Sequence, residues 1–217
     1  MGYETVLDKV AAAANRVGRS ADGVTLVAVS KTKTVEDILK IYELGHRDFG
    51  ENRAQELAAK APQLPDDIRW HFVGALQSNK VRQIRSTTHL LHSMDRSSLA
   101  KAWLKGIGRP PPVLLQVNIG DEAQKSGIDP KDVAEALERM LMMGLTVRGL
   151  MAIPPIPESA ERSRTHFQKL REIIEPISLL NPDCRELSMG MTDDFEVAIE
   201  EGASIIRVGR AIFGPRK

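Results

Sequence analysis

Thr25-Leu26-Val27-Ala28-Val29-Ser30-Lys31-Thr32-Lys33-Thr34 opens the first of a series of alternating segments, and its reading decides the fold. A five-residue apolar and β-branched run makes a short strand and a polar turn follows. Val35–Leu44 then carries helical apolar spacing, with Thr34 as N-cap and Gly45 just past the end. The unit recurs along the chain. Strands are predicted at Thr25–Val29, Arg47–Gly50, Arg69–Val73, Leu90–Ser93, Val113–Asn118, Val147–Ile153, Glu186–Ser188 and Ile205–Val208. Helical patterns separate them, such as Pro130–Met143 behind Asp129. Eight strands alternating with helices predict an α/β fold, a single (β/α)8 TIM barrel over residues 1–217. An extra N-terminal helix, Gly2–Val17, is expected to precede the barrel and cap its bottom. Roughly two hundred residues is the low end for this architecture, so loops should be short and no appended domain is expected. Gly106–Pro112 and Pro154–Ser159 are the Pro/Gly-rich connections.

The 217 residues are 42% hydrophobic and 27% charged, a globular balance that buries one sizeable core. Thirty basic against 29 acidic residues leave a formal charge of +1, which favours neither nucleic acid nor an anionic membrane and leaves a small molecule as the expected partner. Cys184 is the sole cysteine, so no internal disulfide forms and a reducing, cytoplasmic setting is expected. Met1-Gly2-Tyr3-Glu4-Thr5-Val6 starts polar and lacks the hydroxyl residue of a myristoylation signal at position 6. Arg148 and several glycines interrupt the apolar residues between Met140 and Ile156, so no membrane span is expected.

In such barrels the chemistry gathers at the C-terminal ends of strands. Lys31 ends the run Leu26-Val27-Ala28-Val29, where an apolar wall lowers an amine's pKa and frees it to attack an aldehyde; alone, it reads equally as a solvated strand-end lysine, with Lys33 as its twin. The loops after strands seven and eight commonly hold a phosphate in this fold. There Gly190 and Gly209 allow close backbone approach, Ser188 and Thr192 bring hydroxyls, and helices starting near Asp193 or Arg210 would point amides at an anion. Arg207 alternates against Ile206 and Val208, which points it toward the barrel mouth or leaves it as a snorkelling arginine. His89 and His92 are three apart in a strand and so expected on opposite faces; without a cysteine pair they read as structural or surface histidines and no metal site is expected. The charged stretches Glu158–Arg164 and Arg171–Glu175 read as solvated helix faces.

Further motifs follow in order. They are Val27 through Lys33; Phe49-Gly50-Glu51-Asn52 with Gln55-Glu56; Trp70-His71-Phe72-Val73-Gly74 with Leu76-Gln77-Ser78-Asn79-Lys80; Val117-Asn118 with Lys125-Ser126-Gly127; Gly149-Leu150-Met151; Leu187-Ser188-Met189-Gly190-Met191 with Asp194; and Arg207-Val208-Gly209 with Ile212-Phe213-Gly214. Together they resemble the pyridoxal phosphate (PLP) homeostasis family, called YggS or PROSC-like, over essentially the whole chain. The resemblance implies a barrel like the N-terminal domain of alanine racemase, PLP fold type III, with the cofactor pyridoxal 5′-phosphate joined to Lys31 as a Schiff base. It implies Arg207 at the pyridine nitrogen, Asn52 near the ring, and Ser188, Gly209 and Arg210 around the phosphate. Ala75, Thr192 and Arg210 depart from the residues usual in relatives; Arg210 replaces a hydroxyl with a charge.

The resemblance further implies a non-catalytic PLP carrier in vitamin B6 homeostasis, with PLP-dependent apoenzymes as expected partners; a barrel of this size without an evident exposed apolar stripe is expected to be a monomer. In racemases of this fold the second base is a tyrosine from a separate domain, whereas the tyrosines here, Tyr3 and Tyr42, follow no strand. A weak amino-acid racemase using His71 or a partner subunit's residue is the alternative, and a Schiff-base aldolase acting on a sugar phosphate through Lys31 is a third.

Overall fold

The computed structural model describes residues 2–120, 126–155 and 158–215; Met1, Lys125 and part of the Pro154–Ser159 connection lie outside the described residues. Strands β1 (Thr25–Val29), β2 (Asp48–Glu51), β3 (Arg69–Phe72), β4 (Thr88–Met94), β5 (Val113–Val117), β6 (Val147–Ala152), β7 (Glu186–Ser188) and β8 (Ile205–Val208) pair in parallel, each with the next. β8 returns to β1 and closes the barrel. The expected architecture is the observed one. The largest boundary difference is in β4, which starts at Thr88 because its register against β3 shifts between Trp70 and His71.

The helices are α1 (Tyr3–Arg16), α2 (Val35–Glu43), α3 (Ala54–Lys60), α4 (Val81–Ile84), α5 (Ser97–Leu104), α6 (Val133–Met142), α7 (Arg164–Leu180), α8 (Phe195–Glu200) and α9 (Arg210–Phe213). α2 shows why the boundaries were readable. Thr34 Oγ1 accepts the Asp37 amide at 3.2 Å while the Asp37 carboxylate accepts the Thr34 amide, a reciprocal cap, and Gly45 leaves the helix at φ +93°. The helix expected from Pro130 begins as a 3-10 turn, Pro130–Asp132, and becomes α-helical at Val133.

α1 buries Val6, Val10, Ala13 and Ala14 and packs beside α8 and α9, fastened by Lys9–Glu196 at 2.8 Å and Arg16–Glu200 at 2.8 Å. It therefore belongs to the outer layer, not the floor where the sequence reading put it. The one-turn length of α9 leaves room for it there.

Strand alternation sorts the core into two parts. Phe49, Trp70, Phe72, Leu91, Leu115 and Leu150 face outward under the helices. The interior holds a small apolar plug of Val27, Leu90, Leu114, Met151 and Ile205, with Val29 packed on it. Buried polar groups on the same inner face complete the filling, among them His71, His92, Ser188 and Arg207. Leu114 is fully enclosed, so Leu114→Ala leaves a cavity that the strands cannot close; urea denaturation should show a loss of about 3 kcal/mol.

Candidate functional site

Lys31, Asn52 and Arg207 come to one end of the barrel. The inner-face series on β1 is Val27, Val29 and then Lys31; on β2 it is Asp48, Gly50 and then Asn52; on β8 it is Ile205, Arg207 and then Gly209. β1 and β8 are neighbours, with Val27 opposite Arg207, which puts Lys31 just above the guanidinium level on the adjoining strand. Lys31 is half-buried there.

The turn carrying Lys31 is strained and gripped. Thr32 has φ +64°, a left-handed conformation that β-branched residues rarely adopt. Its amide donates to Glu56 Oε2 at 2.9 Å. Lys60 bridges Glu56 at 3.1 Å, Glu51 at 2.7 Å and the Ser30 carbonyl at 3.0 Å, and Ser30 Oγ donates to Glu51 Oε1 at 2.7 Å. Burial pushes the Glu51 carboxyl up, against the bonds from Lys60 and Ser30 that pull it down. Lys33 is no twin of Lys31: its ammonium donates to the carbonyls of Phe213 and Pro215, both at 3.0 Å, and caps α9.

Asn52 is held by backbone contact. A Cβ at Gly74 would lie 2.1 Å from the Asn52 carbonyl oxygen, so only glycine lets β3 pass this close. Asn52 Oδ1 is buried with no hydrogen-bond partner among the described residues.

Arg207 is 4% exposed and faces inward. Nη1 donates to Ser188 Oγ at 2.6 Å and Nη2 to the Ala152 carbonyl at 2.9 Å; burial lowers the guanidinium pKa to about 10. Ser188 Oγ lies 2.8 Å from His92 Nδ1, His92 Nε2 lies 2.9 Å from His71 Nδ1, and His71 Nε2 lies 3.0 Å from Asp48 Oδ1. Burial would raise the Asp48 carboxyl, but hydrogen bonds from Arg69 and His71 outweigh it and hold Asp48 well below the usual carboxylate range. The histidine expectation needs correction. The shifted register of β4 sets His89 5.6 Å and His92 5.2 Å from His71, ring centre to ring centre, so both flank one imidazole instead of facing apart. Among the described residues no group of three or more His, Cys, Asp or Glu side chains is disposed to hold a metal ion.

The loops after β7 and β8 are tied together, since the Arg207 amide donates to the Gly190 carbonyl at 3.0 Å. Gly190 has φ +87°, and its Cβ would stand 2.5 Å from that of Ala198. Asp194 shapes the first loop by accepting the Met191 amide and the Ser163 hydroxyl, both at 2.8 Å. Gly209 passes tightly over β1, with its Cβ position 3.2 Å from the Val29 carbonyl. Arg210 begins α9 but is exposed, its side chain turned away to Asp193. Lys31, Asn52, Ser188, Arg207 and Gly209 therefore gather at one end of the barrel, whereas the Arg210 side chain turns away to Asp193. Sequence reading missed Glu56, Lys60, Asp48 and His92 as supports; the Gln55-Glu56 and Trp70-His71 motifs were the available signals.

Fold and site define a protein of the alanine racemase N-terminal-domain family, whose model matches residues 6–217. Within that class the chain belongs to the pyridoxal phosphate homeostasis protein family. It is 42% identical over 220 residues to the pyridoxal phosphate homeostasis protein of Aquifex aeolicus, spanning 98% of this chain and 96% of the relative. It is 41% identical over 224 residues to that of Escherichia coli K12, spanning 97% and 94%. PipY of Synechococcus elongatus, solved with PLP bound, superposes with a TM-score of 0.80 at 34% identity, covering 96% of this chain and all of that one. No described helix is long and apolar enough to cross a membrane.

Gly74→Ala should push Asn52 aside and cost about 2 kcal/mol in urea denaturation. Asp48 has a folded pKa below its ordinary value of 3.8, so it stabilises the fold above about pH 4 and that contribution fades as pH falls through the folded value. Stability measured against pH should thus show a steeper acid limb for the wild type than for Asp48→Asn.

Proposed function

We propose that this protein holds pyridoxal 5′-phosphate as a Schiff base on Lys31 and serves intracellular PLP homeostasis as a carrier without catalytic turnover. The observation that carries the reading is the pairing, on neighbouring strands and one inner face, of a half-buried lysine at the mouth with a buried, oriented arginine beneath it. The residues present fit the cofactor. The unpartnered Asn52 Oδ1 gives it a polar contact beside the lysine, and the Gly209 approach leaves backbone room for a phosphate. Lys31 would hold the aldehyde end, Arg207 would face the pyridine nitrogen with Ser188 bonded to it, Asn52 would lie near the ring, and Gly209 and Arg210 would stand at the phosphate end, Arg210 through its amide.

When bound, PLP supplies an electron-withdrawing ring beside the linked nitrogen. Arg207 works against that chemistry, because a cation at the ring nitrogen disfavours its protonation. The tyrosines also lie far from such use. Tyr3 bonds His46 and Tyr42 bonds Asp67, both on segments that enter the N-terminal ends of strands, opposite the mouth. His71, the base of the racemase alternative, is spent on His92 and Asp48. Holding and handing on the cofactor to PLP-dependent apoenzymes is the function this arrangement supports. A closed barrel without sheet edges suits a monomer, and the buried Cys184 thiol, pushed up to about 11 by burial, suits the cytoplasm.

Protein loaded with PLP should show a visible absorbance band, and borohydride should fix the label on Lys31. Lys31→Ala should lose all of the trapped adduct; a retained adduct would place the link elsewhere. Chirally resolved assays over a panel of amino acids should show no turnover, and product that scales with Lys31 occupancy would make the protein a racemase.

A further inference from the structure

The polar chain inside the barrel has a direction, and its end groups set it. A guanidinium only donates and an ionised carboxylate only accepts. Arg207 donates at one end and Asp48, held ionised, accepts at the other. Between them stand two imidazoles and one hydroxyl. His71 must present Nε2–H to Asp48, so its bare Nδ1 accepts from His92 Nε2–H. His92 Nδ1 is then bare and accepts the Ser188 hydroxyl proton, which turns the lone pairs of Ser188 toward Arg207. Each link has one donor and one acceptor.

We propose that His92 and His71, anchored on Asp48, are positioning residues for Arg207: their one-way chain commits the Ser188 hydroxyl to His92 and its oxygen to the guanidinium, so that Ser188 aligns Arg207 and does not ligate the phosphate. The part of this that concerns the phosphate rests on the cofactor reading above; the order of protons does not. The middle of the path is enclosed, with His71 at 2%, His92 at 0% and Ser188 at 0% exposure, so water does not compete for the two inner links. The charged and titratable groups facing the chain favour the same order. His92 meets His71, His89 and Arg207, and burial together with those neighbours holds it neutral. His71 meets Asp48 and His89, with His46 nearby and Arg69 on the far side of Asp48. A second proton on His71 would reverse the chain: His92 would then offer Nδ1–H to Ser188, whose own proton would be released toward the mouth.

Two-bond proton–nitrogen correlation on nitrogen-labelled, cofactor-free protein near neutral pH reads the imidazole tautomers directly. Both His71 and His92 should carry their proton on Nε2, and a His92 protonated on Nδ1 would overturn the proposal. Asp48→Asn can donate as well as accept, so it removes the constraint at the anchor. In that variant the His92 nitrogen shifts should move to those of mixed tautomers, and with PLP loaded the pH midpoint of the visible band should move by about one unit, the worth of one hydrogen bond. Unchanged shifts with an unchanged midpoint would sink the relay. Should Asp48→Asn fail to fold, the wild-type tautomers still decide. Loss of PLP binding with the Nε2 tautomers intact would refute the cofactor reading alone, and PLP binding with the opposite tautomer would refute the relay alone.

Discussion

A guanidinium sealed inside a barrel must be met by acceptors, and the interior of this protein is organised around that requirement. Alternation on β8 sends Arg207 inward with Ile205, where burial alone would make it one of the costliest groups in the fold. The Ala152 carbonyl and the Ser188 hydroxyl answer it. Ser188 in turn needs somewhere to put its proton, which brings in His92, then His71, then Asp48 and finally Arg69, where the path reaches the surface. Much of the inner face is committed to this hydrogen-bonded path, which leaves the apolar plug small.

The lysine end is built on a different principle. Lys31 owes its place to backbone strain at Thr32, and a left-handed β-branched residue costs about 1–2 kcal/mol. The Glu56 carboxylate offsets it by accepting the Thr32 amide, and Lys60 holds Glu56, Glu51 and the Ser30 carbonyl as one unit behind the sheet. These ion pairs are largely enclosed, with Lys60 and Glu51 side chains 12% and 0% exposed, so they are not the weak, screened pairs of an open surface. The cluster and the inner chain meet at β2, which sends Asp48 inward and Glu51 outward.

What was legible in the sequence follows from what depends on local pattern alone. The eight strands and the cap of α2 rest on alternation and short-range hydrogen bonds, and the structure reproduces them within two residues; alternation left Arg207 open between the mouth and a snorkelling position, and its burial decides for the interior. Lys31 could be singled out because strand ends mark the mouth of such a barrel, whereas Asn52 entered through the resemblance carried by Phe49-Gly50-Glu51-Asn52. His92 could not be given its partners: Ser188 is 96 residues away and becomes its neighbour only on closure. The paired environment of His89 and His92 depended on a register shift at Trp70/His71, which no period-two pattern announces. Arg210 looked like a source of charge for an anion because its exposed partner, Asp193, lies in another loop. The position of α1 escaped for a related reason, since an amphipathic stripe states that a helix is buried but not against what.

In the arrangement proposed above, the two ends of the site divide the work in a way that favours retention over reaction. Protonation of the ring nitrogen strengthens the cofactor's draw on electrons, and a donor acid beside that nitrogen promotes it. Arg207 is the reverse: even with its pKa lowered to about 10 it stays cationic near neutral pH, and a proton added to a ring nitrogen beside it would face a like charge. The inner chain strengthens this by draining proton-donating capacity away from the mouth and toward Asp48, since each link donates downward. On the proposed reading, a lysine that forms and releases a covalent bond, over an arginine that discourages ring protonation, suits a holder of a reactive aldehyde.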